Sequence, residues 1–187
     1  MVVVAGMLIS PTRAKADDES ESRIKQGFAI APVKLNLVEK NRALVGLGSY
    51  LVNAVAGCND CHTNSNNPYV NGGNPFLGQP KQEDITHYLA GGRSFATPAG
   101  TVLSRNLTPD KTGLPEGGAM FDVFLNTMRT GADRHVPGRL LQVMPWPVFQ
   151  DMTDQDLRAI YEYLRAIPCI EGEPGLPNPR PIGTRCQ

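Results

Sequence analysis

The residues best equipped for chemistry form the run Cys58-Asn59-Asp60-Cys61-His62. Two thiols three positions apart lie on one helical turn, and the imidazole that follows them reaches to the same side. The spacing C-x-x-C-H is typical of c-type haem attachment, in which each thiol bonds a vinyl group of the porphyrin and the imidazole ligates the iron. We therefore predict one covalently bound haem c, attached at Cys58 and Cys61, with His62 as an axial ligand.

Two other chemistries use paired cysteines, and the surrounding sequence favours neither of them. A thioredoxin-like redox pair is expected in a βαβ context, which the sequence around Cys58 and Cys61 does not show. A zinc site would need a fourth ligand close by. Haem attachment is therefore the leading interpretation of the motif.

Met144 is the best candidate for the second axial ligand. It lies in the run Val143-Met144-Pro145-Trp146-Pro147, where two prolines prevent a helix and stiffen an extended loop. A thioether is a weak ligand, so it must be held in position by the chain around it. Trp146 would add a large apolar wall beside it.

Other possible axial ligands have less suitable surroundings. Met120 and Met128 fall on an apolar stripe at helical spacing and are expected to pack in the core. His135 lies in a polar loop and His87 precedes an apolar pair. Both histidines stay open as alternative ligands on the distal side, although neither has a stiffened setting.

The two remaining cysteines lie in a tail rich in glycine and proline. Cys169 and Cys186 have no metal-type spacing, and such an even pair is most simply a disulfide if the protein is exported, as the N-terminal residues described next predict. We predict that this bridge closes the C-terminal tail, residues 169–187. The alternative is a pair of free thiols.

The first sixteen residues have the pattern of an export signal rather than of a folded segment. The apolar stretch from Val2 to Ile9 is followed by Ala14-Lys15-Ala16, which matches an A-x-A cleavage site. No basic residue precedes the apolar stretch, so residues 1–16 are interpreted as part of a signal peptide. This predicts a periplasmic protein in which residues 17–39 form an N-terminal extension.

The composition excludes several classes of protein. The 187 residues carry 18 basic and 18 acidic side chains, so no broad surface for nucleic acid is implied. No apolar run approaches the roughly 20 residues that cross a bilayer. The 19 glycines and 16 prolines argue for many loops and few long regular elements.

Helical spacing places three helices around long loops. The first covers Asn41–Ala56, the second covers Ala119–Arg129, and the last begins at a Thr153 cap and ends before Pro168. Residues 63–119 are rich in glycine and proline and are expected to be mostly loop. No alternating run is long enough to require a strand, so we predict an all-α fold.

With these elements placed, residues 39–168 resemble a class I cytochrome c. The resemblance is closest to the cytochrome c domains associated with periplasmic alcohol and gluconate dehydrogenases. The matching segments are Tyr88-Leu89-Ala90-Gly91-Gly92-Arg93, Ser104-Arg105-Asn106-Leu107-Thr108-Pro109-Asp110, Thr112-Gly113, Met128-Arg129-Thr130-Gly131, Met144-Pro145 and Asp156-Leu157-Arg158-Ala159-Ile160-Tyr161-Glu162-Tyr163-Leu164.

The resemblance implies a cytochrome c fold over residues 40–168, with long Gly/Pro-rich loops around one haem and with His62 and Met144 as axial ligands. It implies that the first and last helices cross near Gly46, Gly48 and Tyr161. It also suggests that Arg105 and Asn106 donate hydrogen bonds to a haem propionate. The related subunits carry several haems, whereas this sequence has a single C-x-x-C-H.

A six-coordinate iron leaves no vacant site for substrate, so the predicted function is soluble electron transfer without independent catalysis. The predicted partners are redox proteins (a dehydrogenase, an oxidase or another cytochrome), and the chain is expected to be a monomer. Two alternatives stay open. One is a haem enzyme or gas sensor whose distal side uses His135, Arg134 or His87, and the other is an electron-transfer subunit of a dehydrogenase complex.

Overall fold

The computed structural model describes residues 11–63, 67–98, 100–171 and 186, and this part of the chain is mostly helical. The helices are α1 (Pro11–Ile30), α2 (Arg42–Tyr50), α3 (Cys58–His62), α4 (Pro115–Gly118), α5 (Phe121–Thr130), α6 (Trp146–Phe149) and α7 (Asp154–Ala166). A π-helical segment (Leu51–Val55) continues α2, and a 3₁₀ turn covers Pro75–Leu77. None of the helices in these residues is long and apolar enough to span a bilayer.

The strands β1 (Ser94–Thr97) and β2 (Gly100–Leu103) correct the all-α prediction. They pair as an antiparallel hairpin in which Phe95 lies opposite Val102. The Thr97 hydroxyl donates a 2.7 Å hydrogen bond to the Gly100 carbonyl oxygen at the turn. Four residues per strand give too short an alternation to stand out in the sequence, so the hairpin was not predicted.

Helix α2 packs directly against helix α7. The Asn41 side chain caps α2 by accepting a 3.1 Å hydrogen bond from the Leu44 N–H. At Gly48 the two helices come so close that a Cβ would collide with the Ala159 carbonyl and would lie 2.7 Å from the Tyr163 Cβ. The close approach predicted at this glycine is therefore present.

Tyr161 does not lie at that crossing, which corrects one expectation. Residues two apart on an α-helix point about 200° apart, so Tyr161 and Tyr163 face opposite sides of α7. The Tyr161 ring packs against Phe121 and Phe124, and its hydroxyl donates a 2.9 Å hydrogen bond to the Ala119 carbonyl. Tyr161 thus joins α7 to α5 rather than to α2.

Helix α1 was not predicted, and it covers the opposite side of α2. Gly27 lies against Gly46, whose own Cβ would meet Ile24 and Phe28. The Ser49 hydroxyl donates a 2.7 Å hydrogen bond to the Gly27 carbonyl. Gly46 therefore faces α1, not the last helix. Residues 1–10 of the predicted signal peptide lie outside the described part, and the expected cleavage point after Ala16 falls within α1.

The predicted helices otherwise agree with the structure, apart from small shifts at their ends. Thr153 caps α7 by accepting a 3.1 Å hydrogen bond from the Asp156 N–H, as expected. Met128 is buried in the core, where it was predicted to pack. Met120 was also predicted to pack in the core, but it precedes α5 at the N-cap position and is 58% exposed.

Candidate functional site

Helix α3 places the two thiols of the motif on one helical turn. It begins after Gly57, whose left-handed backbone (φ +59°, ψ +34°) turns the chain out of the preceding π-helical segment. Cys58 and Cys61 are half-buried, and within the described residues both thiols are free of disulfides. Burial raises the pKa of the Cys58 thiol to about 12, so this group stays protonated at neutral pH. Such a thiol is poorly suited to thioredoxin-like exchange, which needs a thiolate.

The thiols open into a cavity of about 490 Å³, within the size range of cofactor pockets. Helix α3, strand β2, helices α5 and α7 and the Met144 loop enclose it. Cys58, Cys61, His62 and Met144 all line this one space. The rest of the lining is mainly apolar and includes Val52, Leu103, Phe124, Met128, Ile160 and Leu164. The structure thus brings together the four residues predicted to hold a haem.

The imidazole of His62 is held through one of its two nitrogens. Its Nδ1 lies 2.7 Å from the Arg105 carbonyl oxygen. Because a carbonyl oxygen only accepts, Nδ1 carries the proton and Nε2 keeps its lone pair. Burial lowers the pKa of His62, with the Arg105 carbonyl acting in the opposite direction. The ring is therefore neutral at pH 7, which is the form that ligates a metal.

The backbone of the loop around Gly91 also holds His62 in place. The Gly91 N–H donates a 2.7 Å hydrogen bond to the His62 carbonyl oxygen. Gly91 has a φ of +77°, and a Cβ there would lie 2.5 Å from the Arg105 carbonyl carbon. Only glycine combines this backbone angle with so close an approach. Gly91 belongs to one of the segments that resemble cytochrome c domains. Nothing in the sequence indicated that Gly91 contacts Arg105.

A buried polar network anchors this loop to two helices. The Tyr88 hydroxyl lies 2.5 Å from the Asn53 side-chain oxygen and 2.8 Å from the Tyr163 hydroxyl. Asn53 Nδ2 donates to the Ser49 carbonyl at 3.0 Å. All of these side chains are buried, so each needs its partners. The network fixes the entry to the Gly91 loop relative to α2 and α7.

Trp146 holds the Met144 loop from outside the cavity and, contrary to the prediction, does not form part of the cavity wall. The Trp146 ring packs on Gly131 at the end of α5, and its Nε1 donates a 3.2 Å hydrogen bond to the Leu141 carbonyl. Trp146 does not itself line the cavity, although its neighbours Pro145 and Met144 do. Its large ring therefore supports the loop from outside.

Arg129 holds the far end of the same loop. Its guanidinium donates to the carbonyl oxygens of Gln150 and Met152, and it pairs with Asp154 at 2.6 Å. These contacts fix the connection between the Met144 loop and α7. The sequence singled out Arg129 only as part of a matching segment, because its partners lie more than twenty residues away.

One end of the cavity is polar and rich in cations. Arg105 and Arg139 both donate to the Asp133 carboxylate, at 2.6 Å to Oδ1 and Oδ2 respectively. Burial of Asp133 acts to raise its pKa, but hydrogen bonds from the His135 N–H and from Arg139 prevail, and the pKa is lowered. Burial raises the pKa of Glu116, which also lines this end. The Asp133 carboxylate thus faces two guanidinium groups, and such groups also suit carboxylates on a ligand.

The remaining candidates are divided between the cavity and the surface around it. Arg105 and His135 line the cavity; burial lowers the pKa of His135 to about 4, so its ring is neutral at pH 7. His87 is outside the lining and lies against Asp84 at 2.7 Å. Asn106 is also outside it, because its amide is turned towards the C-terminal tail.

That tail is closed by the predicted disulfide. Cys169 and Cys186 are bonded across a sequence separation of 17 residues. The Asn106 Nδ2 donates a 2.7 Å hydrogen bond to the carbonyl oxygen of Ile170, which directly follows the first of these cysteines. The disulfide prediction is therefore confirmed.

The donor set suits a covalently attached haem. Two thiols on one turn, a neutral imidazole with its Nδ1 occupied, and a thioether within the same apolar cavity match the groups that such a cofactor uses. The cationic end would receive its carboxylates. Within the described residues, no cluster of three or more metal-ligating side chains suggests a separate metal site.

Sequence comparison places the chain with proteins of the same class. It is 36% identical over 126 residues to the gluconate 2-dehydrogenase cytochrome c subunit of Pantoea cypripedii, covering 67% of this chain and 23% of that protein. It is 30% identical over 134 residues to the fructose dehydrogenase cytochrome subunit of Gluconobacter japonicus, covering 71% and 23% respectively. No protein-family model matches the chain.

A third relative extends the same class. The cytochrome c subunit of alcohol dehydrogenase (quinone) from Gluconobacter oxydans (strain 621H) is 28% identical over 158 residues, covering 78% of this chain and 28% of that protein. The chain is thus a homologue of dehydrogenase cytochrome c subunits, which confirms the predicted resemblance. It spans only about a quarter of the length of these relatives.

Proposed function

We propose that this chain is an electron carrier that holds one haem c covalently at Cys58 and Cys61, with His62 and Met144 as its axial ligands. One observation carries the proposal: both thiols, the imidazole and the Met144 thioether line a single apolar cavity. When bound, haem c supplies a one-electron iron couple whose potential is raised by a methionine ligand.

The chain's own residues would then have distinct tasks. His62 and Met144 would occupy both axial positions, and the apolar lining around Phe124 and Met128 would exclude water. Arg105 and Arg139 would pair with the propionates, since together they exceed the charge of Asp133. This set provides no open position for a substrate, which favours electron transfer over catalysis.

The names of the relatives suggest the partners. All three are cytochrome subunits of dehydrogenases, so we expect this chain to accept electrons from a dehydrogenase and to pass them to an oxidase or another cytochrome. We place it in the periplasm, where c-type cytochromes occur and disulfides are stable. In this assignment residues 40–168 form the cytochrome c domain, flanked by the extension and the disulfide-closed tail.

The visible spectrum of the purified holoprotein tests the proposal. We expect a low-spin spectrum in both oxidation states, a weak methionine–iron charge-transfer band in the oxidised form, and a haem that stays with the polypeptide in acidified solvent. Rapid binding of carbon monoxide to the reduced protein would instead indicate an open distal site, in which His135 or Arg134 would face the ligand. A protein without any haem would refute the proposal outright.

A permanent place within a dehydrogenase complex is the second candidate, and the identity to dehydrogenase subunits favours it. Purification from the native source at low ionic strength distinguishes the two. A carrier elutes at the size of this chain, whereas a subunit elutes with a flavin- or quinone-containing partner in fixed ratio.

A further inference from the structure

The backbone of Ile170 is held by a closed ring of hydrogen bonds. Asn106 Nδ2 donates to the Ile170 carbonyl at 2.7 Å, and the Ile170 N–H donates to Thr108 Oγ1 at 3.1 Å. The Thr108 hydroxyl completes the ring by donating to Asn106 Oδ1 at 2.7 Å. Asn106 and Thr108 are 2% and 0% exposed, so water does not compete for these bonds.

This ring lies one peptide away from the bond that orients His62. The Arg105 carbonyl, which accepts the proton of His62 Nδ1 at 2.7 Å, belongs to the same planar peptide unit as the Asn106 nitrogen. A shift of Asn106 therefore turns the Arg105 carbonyl. Gly91 packs against one side of this peptide and leaves no space for an alternative position.

The tail at Ile170 is itself fixed by a covalent bond. Cys169 precedes Ile170 directly and is joined to Cys186. The Cys186 N–H donates a 2.7 Å hydrogen bond to the Glu171 side chain. The disulfide thus closes the tail on itself next to Ile170, whose side chain packs against the helical core.

We infer that Asn106 and Thr108 are positioning residues, which couple the disulfide-closed tail to the Arg105 carbonyl and so fix the hydrogen bond on His62. Asn106 thus acts through the backbone behind the histidine and not on a propionate. The inference rests on the proposed function for its redox consequence. Loss of the hydrogen bond makes the imidazole a weaker donor and so raises the reduction potential.

The chain contains a matched copy of the same turn. In Asp110-Lys111-Thr112, the Asp110 carboxylate accepts from the Thr112 N–H at 2.8 Å and from its hydroxyl at 2.5 Å, just as Asn106 accepts from Thr108 at 2.9 and 2.7 Å. The second turn makes none of the bonds to Ile170 that the first one makes. Thr112→Val therefore removes the same hydroxyl from the same turn without touching the tail.

The test is the hydrogen-exchange rate of the His62 Nδ1 proton in reduced holoprotein labelled with ¹⁵N-histidine, where only three histidines give signals. We expect Thr108→Val to accelerate this exchange by at least about tenfold, Thr112→Val by less than about twofold, and Thr108→Ser to restore the slow rate. Equal effects of the two valine variants, or no effect of Thr108→Val, would overturn the inference.

A second variant and a separate spectrum cover the cases in which Thr108→Val does not fold or the chain holds no haem. If Thr108→Val does not fold, the double variant Cys169→Ala/Cys186→Ala takes its place, because it frees the tail without removing a buried hydroxyl; faster exchange supports the inference and an unchanged rate overturns it. The wild-type spectrum reports separately on the proposed function. If the purified chain lacks haem, the same exchange comparison in that protein still decides whether the tail orients His62. Only the expected rise in reduction potential would then not apply.

Discussion

The Nδ1 nitrogen of His62 and the carbonyl oxygen of Arg105 lie 2.7 Å apart, although 43 residues separate them in sequence. This bond joins the C-x-x-C-H motif to the backbone of a loop that is distant from it in the sequence. It determines the tautomer of the ring, and therefore which nitrogen is available as a ligand. Much of the surrounding structure is arranged to keep that carbonyl in place.

Replacement of Met144 should open the site without releasing the cofactor. Met144→Ala removes the thioether, so we expect the potential to fall by on the order of 100 mV, a fraction of the roughly 0.8 V that axial ligands span. Redox titration and carbon monoxide binding measure the change. Met152→Ala is the matched control, because Met152 packs against the core but does not line the cavity. An unchanged potential in Met144→Ala would assign the ligand elsewhere.

Replacement of Gly91 tests the close contact behind His62. Gly91→Ala adds a left-handed strain of about 1 kcal/mol and pushes against the Arg105–Asn106 peptide, so we expect a destabilisation of about 2–3 kcal/mol and a raised potential. Gly78→Ala separates the two effects, since Gly78 has nearly the same φ, +72°, but no atom within 4 Å of its would-be Cβ. The midpoints of thermal unfolding and of redox titration give the comparison. Equal losses in both variants would mean that backbone strain alone is responsible.

Removal of the Asp133 charge should have an effect that depends on pH. The folded-state pKa of Asp133 lies below the ordinary value of 3.8, so its contribution to stability is present above pH 3.8 and is lost as the pH falls through the folded pKa. Asp133→Asn should therefore cost about 2 kcal/mol of unfolding free energy at pH 7 and less near pH 3. Urea denaturation at both pH values checks this. A cost that does not change with pH would show that packing, not charge, is the cause.

Each cysteine of the motif should be separately needed for a full covalent link. Cys58→Ala and Cys61→Ala should each leave one attachment, with the α-band of the reduced pyridine complex shifted towards that of unattached haem. The double variant should lose its haem in acidified acetone. As a control, Cys169→Ala/Cys186→Ala should retain both attachments, because that pair lies in the tail. Retention of haem by the Cys58→Ala/Cys61→Ala variant in acidified acetone would contradict attachment at this motif.

The sequence predicted what depends on local spacing. The Cys58–His62 motif, the stiff loop at Met144, the cap at Thr153 and the Cys169–Cys186 pair are all visible within a few residues or follow from a short count of cysteines. The helix that leads into the motif was predicted nearly to its ends for the same reason, because its apolar residues repeat at regular intervals.

What the sequence did not predict depends on contacts between distant segments. Nothing near Gly91 shows that it faces Arg105, and nothing near Asn106 shows that its amide is bound to Ile170. The packing of α1 on α2 was missed because α1 carries no clear apolar stripe: Gly27 and only a few apolar side chains, such as Ile24 and Phe28, make the contact. Trp146 was predicted to line the cavity because its ring is large and apolar. In the structure the ring packs on Gly131 outside the cavity.

The position of Gly27 within α1 bears on the predicted cleavage after Ala16. A protease acting after Ala16 would shorten α1 at its far end, yet the turn that contains Gly27 and the serine bond it accepts would remain intact. The predicted cleavage point and the contact with α2 thus lie in separate parts of one continuous helix. Removal of residues 1–16 would therefore leave the contact of α1 with α2 unchanged.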